Sequence, residues 1–78
     1  MRQFKRLSVP QNVHPLVKRL FEEMNKEQIG MLDMSERTGV SKDTIFAWKR
    51  RAVPNIVNLE ACFTVLGKKL SIQNAERD

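Results

Sequence analysis

Residues 31–50 read MLDMSERTGVSKDTIFAWKR. Gly39 stands between two short helix-forming segments, where a turn of about three or four residues needs a positive φ at little steric cost. Ser35, four residues earlier, is small enough for close helix packing at that point. Val40 is placed to bury and Ser41 to cap a second helix. From Ser41 onward Ile45 and Trp48 fall three apart on one face, leaving Lys42, Asp43, Phe46, Ala47, Lys49 and Arg50 on or near the other. The stretch predicts helices over 31–38 and 42–50 joined by a tight turn. One face of the second helix is core, with Trp48 as its anchor, and the other is a surface a protein could present to DNA.

The flanks extend this unit into a domain. Helix one is expected to start between Val13 and Pro15, because proline is tolerated in the first turn, and His14 beside it reads as a helix-start residue. Leu16, Val17, Leu20, Phe21 and Met24 then form one apolar stripe that ends near Lys26. Residues 51–54 form a linker. Asn55 can cap a fourth helix with Ile56, Leu59, Cys62, Phe63 and Leu66 inward and Gly67 as its stop. Residues 1–12 form a basic arm whose FKRLSV segment alternates as a short strand would before Pro10 interrupts it. In the tail, 68–78, KLSIQ alternates similarly and could pair with the arm or with a second copy. The expectation is a mainly α, four- to five-helix helix-turn-helix domain over 13–67, with short N- and C-terminal strands as an open option.

Seventy-eight residues accommodate one domain with a small core, for which dimerisation is the obvious remedy. The lone Cys62 cannot form an internal disulfide and, beside Phe63 and Leu66, reads as a buried small hydrophobe. No apolar run approaches the roughly 20 residues of a membrane span, and the basic start is not followed by a signal-peptide core. These features imply a soluble, cytoplasmic protein without a membrane partner.

Net charge is +5, from 14 Lys and Arg against 9 Asp and Glu. Its distribution is uneven. Residues 22–36 hold Glu22, Glu23, Glu27, Asp33 and Glu36 against Lys26, whereas residues 42–51 hold Lys42, Lys49, Arg50 and Arg51 against Asp43. Arg2, Lys5 and Arg6 form a second basic cluster in the arm, and Lys68 and Lys69 a third. The acids Glu22, Glu23 and Glu36 read as a solvated face. Such zoning suits a polyanion on one side and water on the other, since phosphate contacts release counterions. Catalysis has little to stand on: there is one His, one Cys, no Tyr, no glycine-rich phosphate loop and no metal-ligand spacing. No cofactor or small-molecule ligand is expected.

The chain resembles the Cro/repressor (Xre) family of helix-turn-helix regulators, the class of phage lambda repressor. Met34-Ser35, Gly39-Val40-Ser41, Ile45, Trp48, Pro54, Leu59, Leu66 and Gly67 carry the resemblance over roughly residues 13–70. It implies a lambda-repressor-like fold whose third helix enters the major groove, with Lys42, Asp43 and Ala47 near base edges. It also implies phosphate contacts near the start of helix two and after helix three. Where the family has Thr or Ser followed by a phosphate-clamping Gln, this chain has Gly30 and Met31. A backbone N–H could still serve there. Lys49 replaces the Glu usual after Trp and opens the run Lys49-Arg50-Arg51, which could supply the lost affinity.

Candidate base readers are therefore Lys42, Asp43, Thr44, Phe46 and Ala47. Lys42 could instead meet only phosphate, and Thr44 backbone or phosphate. Asp43 could serve the helix dipole or accept from cytosine. Phe46 could touch a thymine methyl or cover a neighbouring helix. Candidate phosphate contacts are Ser41, Lys49, Arg50 and Arg51, joined by Arg2, Lys5 and Arg6 of the arm. Leu70 and Ile72 alternate with polar residues beyond the last helix, which makes them candidates for a homodimer interface. The function expected is a DNA-binding repressor, of phage or mobile-element type, that binds an inverted repeat in double-stranded DNA as a dimer. An excisionase-like factor that bends DNA, or an antitoxin with secondary DNA binding, are the other classes this pattern admits.

Overall fold

The computed structural model describes residues 4–71. Four helices follow one another: α1 (Pro15–Glu27), α2 (Met31–Thr38), α3 (Lys42–Lys49) and α4 (Ile56–Val65). Among the described residues there is no strand, so 4–9 and 68–71 are irregular where alternation suggested extended pairing. Neither segment has a neighbouring strand among the described residues to receive its backbone.

Each helix begins on a side chain or a backbone device that its sequence supplies. Pro15 opens α1, and the Leu16 N–H donates to His14 Nδ1 at 3.1 Å. Ser41 Oγ accepts from the Thr44 N–H at 3.1 Å to cap α3, and Asn55 Oδ1 accepts from the Val57 N–H at 2.8 Å to cap α4. Gly30 starts α2 with no side-chain cap.

The C-termini share left-handed endings. Gly39 (φ 80°) closes α2 by donating its N–H to the Ser35 carbonyl at 2.8 Å. After α4, Gly67 (φ 72°) donates to Thr64 and Lys68 to Phe63, the paired bonds of a Schellman ending. The same pair closes α3, with Arg51 donating to Trp48 and Ala52 to Ala47, but here the left-handed residue is Arg51 (φ 74°). That ending stops α3 at Lys49, one residue short of the expected limit.

The core gathers one face from every helix: Val17, Leu20, Phe21 and Met24 of α1, Met31 and Met34 of α2, Ile45 and Trp48 of α3, and Leu59, Cys62 and Phe63 of α4, with Ile29, Val40 and Leu66 between or after them. Helix α2 packs against both α3 and α4. Trp48 is buried, as its shared face with Ile45 predicts. Two expected core members are not buried. Ile56 is 63% exposed and Leu16 is 37% exposed. Both lie in the first turn of their helices, and a helical side chain leans toward its own N-terminus, away from the packed body of the bundle.

Glu23 is also corrected, from solvated to buried. Its carboxylate lies 3.5 Å from Lys68 Nζ and 3.8 Å from Arg19 Nη2, tying α1 to the chain leaving α4. Lys68 thus has an internal partner. Leu70, half-buried, packs against the core as well. No helix among the described residues is long and apolar enough to cross a membrane.

Candidate nucleic-acid interface

Helices α2 and α3 are joined through residues 39–41, with Gly39 turning the chain and buried Val40 fixing the corner to the core. Burial of Ile45 and Trp48 sets the rotation of α3. Lys42, Asp43, Phe46 and Arg50 consequently face solvent, and Ala47 is half-exposed between them. Asp43, Phe46, Ala47, Arg50 and Arg51 line one shallow recess. It combines an acceptor, an apolar edge and two guanidinium groups, the donor and acceptor types that base edges and phosphates require.

The other sequence candidates separate by what already engages them. Ser41 and Thr44 bond to each other, Oγ to Oγ1 at 2.8 Å, within the α3 cap. The Thr44 hydroxyl is thereby held by local structure. Lys49 is half-buried: Nζ donates to Ser8 Oγ at 2.8 Å and lies 5.3 Å from the Phe21 ring centroid and 5.9 Å from that of Phe46. Its ammonium folds back along the surface over the two rings, whose faces attract it. Phe46, 39% exposed, covers Lys49 with its ring while keeping an edge in the recess. Arg50 and Arg51 are exposed.

Arg51 occupies the position that Gly67 fills in the equivalent ending of α4. A side chain other than glycine in the left-handed region carries strain of about 1 kcal/mol or more. The chain therefore keeps a guanidinium at the corner after α3 where glycine would be easier.

The arm differs most from its sequence reading. Asn25, buried in the last turn of α1, places its amide against the backbone of Leu7. The Leu7 N–H donates to Asn25 Oδ1 at 2.7 Å and Asn25 Nδ2 donates to the Leu7 carbonyl at 2.9 Å. Leu7, Val9 and Val13 pack on the core. Lys5 and Arg6 remain exposed, and Phe4 and Lys5 share a surface pocket with Gly30, Met31 and Leu32 at the start of α2. Arg2 and Ile72 lie outside the described residues.

Asn25 was missed by sequence reasoning, although it carries a signal: a polar residue four after buried Phe21, on the core side of a stripe. Its partner has no such signal.

Cys62 is fully buried, and burial pushes its thiol up to about 11 from an ordinary 9.0. It is an uncharged core residue at neutral pH. Among the described residues no cluster of three or more His, Cys, Asp and Glu could hold a metal.

Comparison with protein-family models, curated proteins and solved structures returned no match.

Proposed function

We propose that the protein is a sequence-specific, double-stranded DNA-binding regulator of the Cro/repressor type, acting as a dimer that represses by occupying an inverted-repeat operator. The observation that supports this most is the orientation of α3. Ile45 and Trp48 anchor it, so its outer face offers Lys42, Asp43, Phe46 and Ala47 together, with Arg50 and Arg51 at its end. A short helix set on a tight turn with that face outward fits the major groove. In this reading Lys42, Asp43 and Ala47 meet base edges, Phe46 offers an apolar edge to a thymine methyl, and Arg50 and Arg51 contact phosphate. Lys49 ties the helix to Ser8 of the N-terminal segment, and Ser41 and Thr44 hold its N-terminus.

Selection of bound duplexes from a random pool tests the reading. An enriched two-fold sequence, bound with an affinity that falls steeply with salt, is the expected result. Salt-sensitive binding with no enriched sequence would point instead to an architectural factor. Absence of duplex binding would end the proposal.

A further inference from the structure

The contacts of the N-terminal segment carry a consequence for affinity. A basic arm that is free in solution must be ordered when it meets DNA, at an entropic cost that reduces its contribution. Here two consecutive residues are already anchored, Leu7 through both its backbone groups to Asn25, and Ser8 through its hydroxyl to Lys49. Because an extended chain advances at most about 3.6 Å per residue, Lys5 Cα stays within roughly 7 Å of Leu7 Cα. Lys5 and Arg6, the exposed cations that precede the anchor among the described residues, are thereby confined beside the helix pair, with Lys5 next to the start of α2.

We propose that Asn25 is a positioning residue for DNA binding: its buried amide, acting in place of a neighbouring strand, holds residues 4–9 so that Lys5 and Arg6 are fixed phosphate contacts. The proposal rests on the DNA-binding reading above. An amide suits this role because it offers a donor and an acceptor side by side to one residue's C=O and N–H. Alanine offers neither. Aspartate keeps the shape and the acceptor but turns a carboxylate oxygen toward the Leu7 carbonyl.

The test is a double-mutant cycle on the full chain, read as duplex affinity over a range of salt, with Asn25→Ala in the parent and in a Lys5→Ala/Arg6→Ala background. The arm double variant should bind all duplexes more weakly, with the salt slope reduced by about two contacts. Asn25→Ala should weaken binding about tenfold in the parent and leave the arm double variant unchanged. Amide exchange at Leu7 should accelerate while α3 stays protected. An equal loss in both backgrounds would assign Asn25 to general stability and overturn the proposal, as would no loss in the parent. If Asn25→Ala does not fold, Asn25→Asp carries the same cycle. An arm double variant with the parental slope would remove Lys5 and Arg6 from the interface while leaving the DNA-binding reading intact. A parent that binds no duplex would overturn both.

Discussion

Arg51 and Cys62 separate stability from function in opposite ways. Arg51→Gly replaces a strained left-handed residue by the one that Gly67 shows to fit this ending. Glycine also loosens the unfolded chain, which offsets part of the relief. Thermal stability is therefore expected to stay level or rise by up to about 1 kcal/mol, while affinity falls for every duplex and the salt slope drops by about one contact. A variant that is destabilised yet binds with the parental salt dependence would refute this assignment. Cys62 titrates on the alkaline side. Its folded pKa, about 11, lies above the ordinary 9.0, so the unfolded thiol loses its proton first. The stability contribution is complete below pH 9.0 and is lost as pH rises through about 11, by at most about 2–3 kcal/mol. Unfolding free energies from pH 8 to 11 should fall more steeply for the parent than for Cys62→Ala, since the lysines are common to both.

Helix α3 tests as a unit because one rotation angle sets every side chain on it. Lys42 and Asp43 are exposed and Ala47 half-exposed. Lys42→Ala and Asp43→Ala are expected to alter stability only slightly, within about 0.5 kcal/mol, and to re-rank operator variants, a good bidentate contact being worth about 1–3 kcal/mol. If both variants rank operators as the parent does, the base-reading face is wrongly placed. Ser41→Ala is the complementary change. It removes the acceptor for the Thr44 N–H and the partner of its hydroxyl, which should cost about 1 kcal/mol in a melt without altering base preference.

For the whole molecule, the proposed dimer must cover apolar surface. Leu70 packs half-buried on its own core, which leaves it less to offer a second copy than alternation suggested. The described residues expose Val53 (92%), Ile56 (63%) and Val57 (67%) around the start of α4. This patch follows α3 through a short linker, so joining two copies there would set the separation of their α3 helices, which half-sites one helical turn apart require to be about 34 Å. Ile56→Asp with Val57→Asp is expected to give a folded monomer by sedimentation, because neither side chain supports the core. That monomer should keep weak, salt-sensitive binding and lose preference for the two-fold sequence. Leu70→Asp should instead lower the melting temperature. A monomeric parent, free and on its selected duplex, would refute the dimer.

What the sequence determined by itself was local. The two helices joined by a tight turn, to within one residue at the end of α3, the caps at Ser41 and Asn55, a start of α1 between Val13 and Pro15 and the burial of Trp48 were all legible. Each depends on residues within one or two turns: a periodic apolar face, a hydroxyl or amide next to free N–H groups, a glycine at positive φ. The outward face of α3 followed from the same periodicity. Tertiary structure alone decided what joined distant parts of the chain. Asn25 meets Leu7 across 18 positions and Lys49 meets Ser8 across 41, and nothing near any of these residues announces its partner. Those pairings turned an expected arm into part of the packed body and folded Lys49 back onto it, while Glu23 left the solvated charge to be buried against Lys68 and Arg19. Periodicity says which side of a helix is buried. Which element arrives to bury it, and which polar groups it brings, is set by how the helices assemble.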